Sequence, residues 1–177
     1  MTSFALMRAT MAGVLALPLF FTLGTSASAQ GIERLGDFGS WSAYRFMEDG
    51  KPACYMASVP SKSAGDYSKR GDIYALVTHR PAESRRDEVS FVAGYQFKKG
   101  SPATVTIGDR TEEFFTQNDG AWAPDHNLDK TMVQAMIRGS TMLVKGTSSR
   151  GTLTTDTYSL KGFTAAYRAI SASCGVN

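Results

Sequence analysis

Few residues in this 177-residue chain could do chemistry, and most stand far apart. The cysteines are the first pair to weigh, because there are two, Cys54 and Cys174. Both lie after the N-terminal signal expected over 1–29, which would place them in an oxidising space, so a Cys54–Cys174 disulfide is expected; the alternative is two free, buried thiols. A bond would close a loop spanning most of the chain. The chain-entropy account assigns about 5 kcal/mol to a loop of that size. The histidines are also two, His79 and His126.

The run "APDHNLD" sets Asp125, His126 and Asp129 close together. A metal needs three or four ligands converging on one point. Residues at the start of a helix do not converge, so capping carboxylates beside a surface histidine account for the run. Glu112-Glu113 has the composition of an acid/base pair, but adjacent residues of a strand face opposite sides. His79 ends a strand-like run and reads as a surface or hydrogen-bonded residue before it reads as a base. The chain carries no G-x-S-x-G elbow, Walker A loop, G-x-G-x-x-G or CxxC. No catalytic residue, cofactor or metal ligand is expected, and a hydrolase using His79 or His126 is the weakest functional reading.

One binding motif is present. Arg70-Gly71-Asp72 is the tripeptide read by some integrins, although three residues match by chance often. The competing reading is a glycine turn leading into the strand "DIYALV". Arg80, Arg85 and Arg86 form a small basic cluster, but Glu83, Asp87 and Glu88 offset it, so a solvated turn is expected.

The elements that must position these residues are mostly strands. "WSAYRFM" alternates, with Tyr44 and Phe46 on one face and Trp41, Ala43 and Met47 on the other. "EDGKP" is a turn by composition, and "ACYMASV" returns as the second arm, carrying Cys54 and Met56 on one side. "PSKSAGDYSKRG" (60–71) reads as a loop. Strands are expected at 72–80 and 89–97, with "PAESRRDE" as a charged turn between them. A hairpin is expected around Gly108-Asp109, and a further strand pair around "TSSR". "DHNLDKTMVQAMIRGS" has helical spacing, with Asp125 or Asn127 to cap it and Gly139 to end it. In the last segment Phe163, Tyr167, Ile170 and Cys174 recur on one helical face, so the cysteine sits on the buried stripe.

These elements amount to about eight short strands and two helices. The fold class is all-β to α+β: a single antiparallel β sandwich or barrel with a short internal helix and a C-terminal helix. Strands that follow one another without intervening helices disfavour a parallel sheet.

The N-terminus sets the compartment. Arg8 is followed by an apolar run, Met11–Leu23, and then by small residues at Ala27 and Ala29. A positive start, a short apolar core and an A-x-A site describe a secretory signal peptide over 1–29. The run is too short to span a bilayer comfortably, and Pro18 interrupts it. The remaining 30–177 have the length of one domain, and no later segment is apolar enough to span a membrane. The formal charge of +3 at pH 7 falls by one when Arg8 leaves, which points to neither nucleic acid nor a strongly acidic partner.

"GDFGSWSAY", "ACYMAS" and the closing "GTSSRGTLTTDTYSLKGFTAAYRAISASC" resemble the invasion-associated locus B (IalB) family of exported alphaproteobacterial proteins. The likeness covers essentially the whole of 30–177. It implies a periplasmic, secreted or cell-envelope location and brings no catalytic residues with it. The first function expected is therefore a non-enzymatic envelope or periplasmic protein that binds another envelope component. The alternative is a surface-exposed or secreted invasion factor that contacts a host-surface component.

Overall fold

The structure, a computed structural model, describes residues 31–176. Its strands are β1 (Glu33–Phe38), β2 (Trp41–Glu48), β3 (Lys51–Ser58), β4 (Lys62–Gly65), β5 (Tyr74–Arg80), β6 (Arg85–Val92), β7 (Ala103–Ile107), β8 (Arg110–Gln117), β9 (Gly120–Trp122), β10 (Thr141–Thr147) and β11 (Leu153–Ser159). Two helices complete it, α1 (His126–Arg138) and α2 (Phe163–Ser173). Every strand pairing is antiparallel, in the order β1-β2-β3-β5-β6-β9-β8-β7-β10-β11-β4. The order is open, with β1 and β4 at its ends, so the sheet does not close into a barrel.

The single order folds into two layers because β8 changes partners along its length. Arg110–Phe114 pairs with β7, while Phe115–Gln117 pairs with β9. The two layers meet through apolar side chains. Phe91 on β6 lies 5.3 Å from Phe114 and 6.4 Å from Tyr158 on β11. Trp41 on β2 donates its indole N–H to the Ser159 carbonyl at 3.0 Å, which ties the first layer to the second.

Both helices lie on the inner face of the first layer. In α2, Phe163 meets Trp41 edge to face at 5.0 Å, and Ala166 and Ile170 are buried behind it. In α1, Met132, Val133 and Met136 are buried against β6. The Asp125 carboxylate accepts the Leu128 N–H at 2.9 Å, the capping expected from the sequence, and Gly139 ends the helix. Gly162 starts α2 at φ 91, where a Cβ would fall 1.8 Å from the Phe38 carbonyl oxygen, so glycine alone lets this helix seat against β1.

Three expectations are corrected. The polar 60–71 segment contains β4, which pairs with β11 at the sheet edge; edge strands are short and polar, so no apolar alternation marks them. The strand expected over 89–97 begins earlier and ends at Val92, because Gly94 turns at φ 69 against the Gly71 backbone. There are eleven strands rather than eight among the described residues.

Candidate functional site

Cys54 and Cys174 form a disulfide, S–S 2.06 Å, joining β3 to the end of α2. The bond stands beside a buried polar cluster. His79, on β5, pairs with Cys54 across the ladder and is fully buried. Its Nε2 lies 3.1 Å from Ser171 Oγ on α2. Its Nδ1 accepts the backbone N–H of Asp87 at 3.1 Å. The Asp87 carboxylate in turn accepts the Tyr167 hydroxyl at 2.6 Å.

Serine, histidine and aspartate thus come together, but in the wrong state for nucleophilic catalysis. An N–H donor at Nδ1 requires a lone pair there, so the neutral ring carries its proton on Nε2. Nε2–H then donates to Ser171 and cannot accept the serine proton, as a triad base must. Burial pushes the His79 pKa down, with the Asp87 carboxylate pulling it back up, and the Tyr167 hydroxyl is pushed up to about 12. No buried side-chain nitrogen or oxygen among the described residues lacks a hydrogen-bond partner. The cluster is a satisfied polar joint between β5, β6 and α2.

His126 lies elsewhere, exposed as the first residue of α1. Asp125 beside it is spent on its cap. Asp129 accepts the Val89 N–H at 2.8 Å, and burial raises its pKa to about 6. The three do not converge, and no group of His, Cys, Asp and Glu among the described residues is placed to hold a metal ion. Beside them a cleft of about 480 Å³ runs between Asp129, Glu88 and the stacked rings of Phe115 and Trp122, whose centroids are 5.8 Å apart.

Arg70, Gly71 and Asp72 do not act as one exposed tripeptide. The Arg70 side chain is 4% exposed and turns inward. It holds both oxygens of Asp156, at 2.8 and 2.5 Å, and donates Nε–H to the Ala93 carbonyl at 2.7 Å. The Tyr67 and Tyr95 rings flank it, with centroids 5.3 and 4.9 Å away. Gly71 donates its N–H to the Gly94 carbonyl at 2.8 Å, while Asp72 stays exposed. In the expected basic turn, Arg80 bridges Glu48 and Glu88 at 2.8 and 2.9 Å, and Arg85 pairs with Glu88.

The largest unclaimed feature is the outer face of the first layer. Register places Tyr44 opposite Tyr55, Ala57 opposite Leu76, Tyr74 opposite Val92, and Trp122 opposite Phe115. Tyr44 and Tyr55 stack at 4.9 Å, and Phe46 meets Tyr55 edge-on at 5.7 Å. The Tyr55 pKa is raised, first by burial and then by its neighbours Tyr44 and Tyr74. Neither helix covers these side chains, which are half-buried by one another, and Phe115 is 50% exposed. The sequence grouped Tyr44 with Phe46 but gave no signal that five further strands extend the patch. Uncovered aromatic side chains clustered on one outer face mark a contact surface.

These features define a disulfide-stapled, two-layer antiparallel β domain with an aromatic outer face. The chain belongs to the invasion associated locus B (IalB) family, whose model matches residues 41–171. Among solved structures it is similar to invasion associated protein b from Bartonella henselae, with a TM-score of 0.57 and 16% identity over 78% of this chain and 95% of that one. That likeness shows the fold. Comparison with curated proteins finds no match. No helix among the described residues is long and apolar enough to cross a membrane.

Proposed function

We propose that this protein is an exported, non-enzymatic domain of the cell envelope or periplasm that binds a protein partner through its aromatic outer face. Family membership and the signal peptide expected over 1–29, which lies outside the described residues, support export. The observation that carries the binding role is the row of Tyr44, Tyr55, Tyr74, Leu76, Trp122 and Phe115 left without a helix. Tyrosine and tryptophan give wide, rigid contact area at low entropic cost, with hydroxyls to pair. The charges beside these rings are spent on one another, Arg80 on Glu48 and Glu88, so the matching surface is an uncharged one of mixed apolar and hydroxyl character.

A photoreactive residue in place of Leu76 tests this in living cells. One discrete crosslinked species, lost when Tyr55→Ser and Trp122→Ser are added, supports the reading. Crosslinks no different from those of the same group at exposed Lys145, on the second layer, would overturn it. The second reading, a surface-exposed or secreted invasion factor, is supported by the family's description and by the likeness to the Bartonella protein. Digestion of the protein by protease added to intact cells favours that reading, and protection with release in the periplasmic fraction counts against it.

A further inference from the structure

The cleft above Arg70 is a second, chemically distinct site. It measures about 630 Å³ and opens between three loops, 66–71, 94–96 and 148–152. Size alone suits a small ligand. The lining is unusual for one: hydroxyls, an amide and cations outnumber apolar side chains. An apolar ligand would strip the hydration from those groups without replacing it. A polyhydroxylated ligand replaces it group by group.

We propose that this cleft binds a sugar unit bearing an anionic group, carboxylate or phosphate. The charge pattern sets the sign. Arg70 forms the floor, but Asp156 neutralises it in a buried pair. The remaining charges are at the mouth, where exposed Lys69 and Arg150 stand against Asp66 alone. Neither Lys69 nor Arg150 takes part in an ion pair among the described residues, so both are available to an incoming anion. Tyr67, which is exposed, supplies ring surface against which the C–H face of a pyranose can lie, and Ser149 and Gln96 supply hydrogen-bonding groups at the rim.

The rigidity of the site supports binding over mere exposure. Arg70 fixes both tyrosines by cation–π contact, and the Tyr95 hydroxyl is held 2.7 Å from Thr154 Oγ1. The Gly71–Gly94 backbone contact closes one end, and Thr152 N–H donates to Ser148 Oγ at 3.2 Å on the opposite loop. Such a preordered polar cavity lowers the entropy lost on binding.

The test is amide-resolved NMR titration of the protein with digalacturonic acid and with glucose 1-phosphate, using maltose as the neutral control. Saturable shifts confined to 66–71, 94–96 and 148–152, at least tenfold weaker in K69Q/R150Q and weakened by added salt, are expected for one or both anionic probes. A response to digalacturonic acid alone assigns the carboxylate class, and to glucose 1-phosphate alone the phosphate class. Both substituted residues are exposed, so K69Q/R150Q should melt where the parent does. No saturable shift with either anion, equal binding of maltose, or binding indifferent to K69Q/R150Q would each overturn the proposal. None of these outcomes depends on the outer-face partner.

Discussion

The backbone N–H of Asp87 donates to His79 Nδ1 across 3.1 Å, and that contact fixes the chemistry of the most enzyme-like cluster in the molecule. Asp87 reaches this position at φ 63, where β6 departs from regular pairing with β5. The ring is left neutral, with its proton on Nε2 and aimed at Ser171.

The first prediction concerns that ring. Nitrogen chemical shifts should show one neutral tautomer, Nε2–H, and a titration midpoint below the usual histidine value, because burial disfavours the charge. A depressed folded pKa means this group supports folding above the unfolded value near 6.5 and withdraws support as pH falls through its folded pKa. An Nδ1–H tautomer would contradict the geometry and return the hydrolase reading to the table.

Asp129 predicts the opposite slope. Its folded pKa is about 6, above the ordinary 3.8, because burial outweighs the Val89 N–H that it accepts. Stability from this group is complete below about pH 4 and is lost as pH rises through about 6. Asp129→Asn keeps an acceptor for Val89 and removes the charge. The carboxylate is partly solvated, so the full shift is discounted for screening to about 1 kcal/mol. The variant should melt roughly 2–4 °C higher at pH 7.5 and unchanged at pH 4. An equal change at both pH values would point to packing instead of charge.

The disulfide predicts a loss on reduction. Cys54→Ala with Cys174→Ala should cost about 2–5 kcal/mol in denaturant midpoints, the range for removing a native bond from a small domain. Hydrogen exchange should rise first in α2, because the bond holds its last turn to β3. A thiol count on denatured, unreduced protein should give none. Two thiols, with unchanged stability in reductant, would remove the staple.

What the sequence disclosed follows the range of each interaction. Local signals read well: the Asp125 cap, the Gly139 stop, and the stripe that carries Cys174 on α2 all lie within one or two turns. The disulfide was readable because the export expected from the N-terminal sequence and a count of two leave one pairing. The aromatic face was half readable. Alternation separated Tyr44 and Phe46 from Trp41 and Ala43, but Tyr55, Tyr74, Leu76 and Trp122 join them only through register, which one sequence does not state. β4 and the three-residue β9 are too short and too polar or small to show a period. The inward turn of Arg70 did leave a trace: Asp156 shares strand parity with Thr154 and Tyr158, all buried, and a carboxylate on a buried face demands a cation.

Arg70 and Asp72 supply the last prediction, because the structure separates two residues that the motif joins. Arg70 is buried against Asp156 through two charged hydrogen bonds, and Asp72 is exposed. Removing one partner of a buried pair strands the other charge, so Arg70→Ala should cost about 3–5 kcal/mol. That corresponds to a fall in melting temperature on the order of 10 °C. Asp72→Glu should stay within about 0.5 kcal/mol, as surface changes do. Replacing both members of the pair, Arg70→Met with Asp156→Leu, should recover most of the loss, because no charge is then left buried. Thermal melts of the three variants decide the matter. A cheap Arg70→Ala would mean the guanidinium is free to reach solvent, and only then could Arg70-Gly71-Asp72 be presented to a host receptor as one unit.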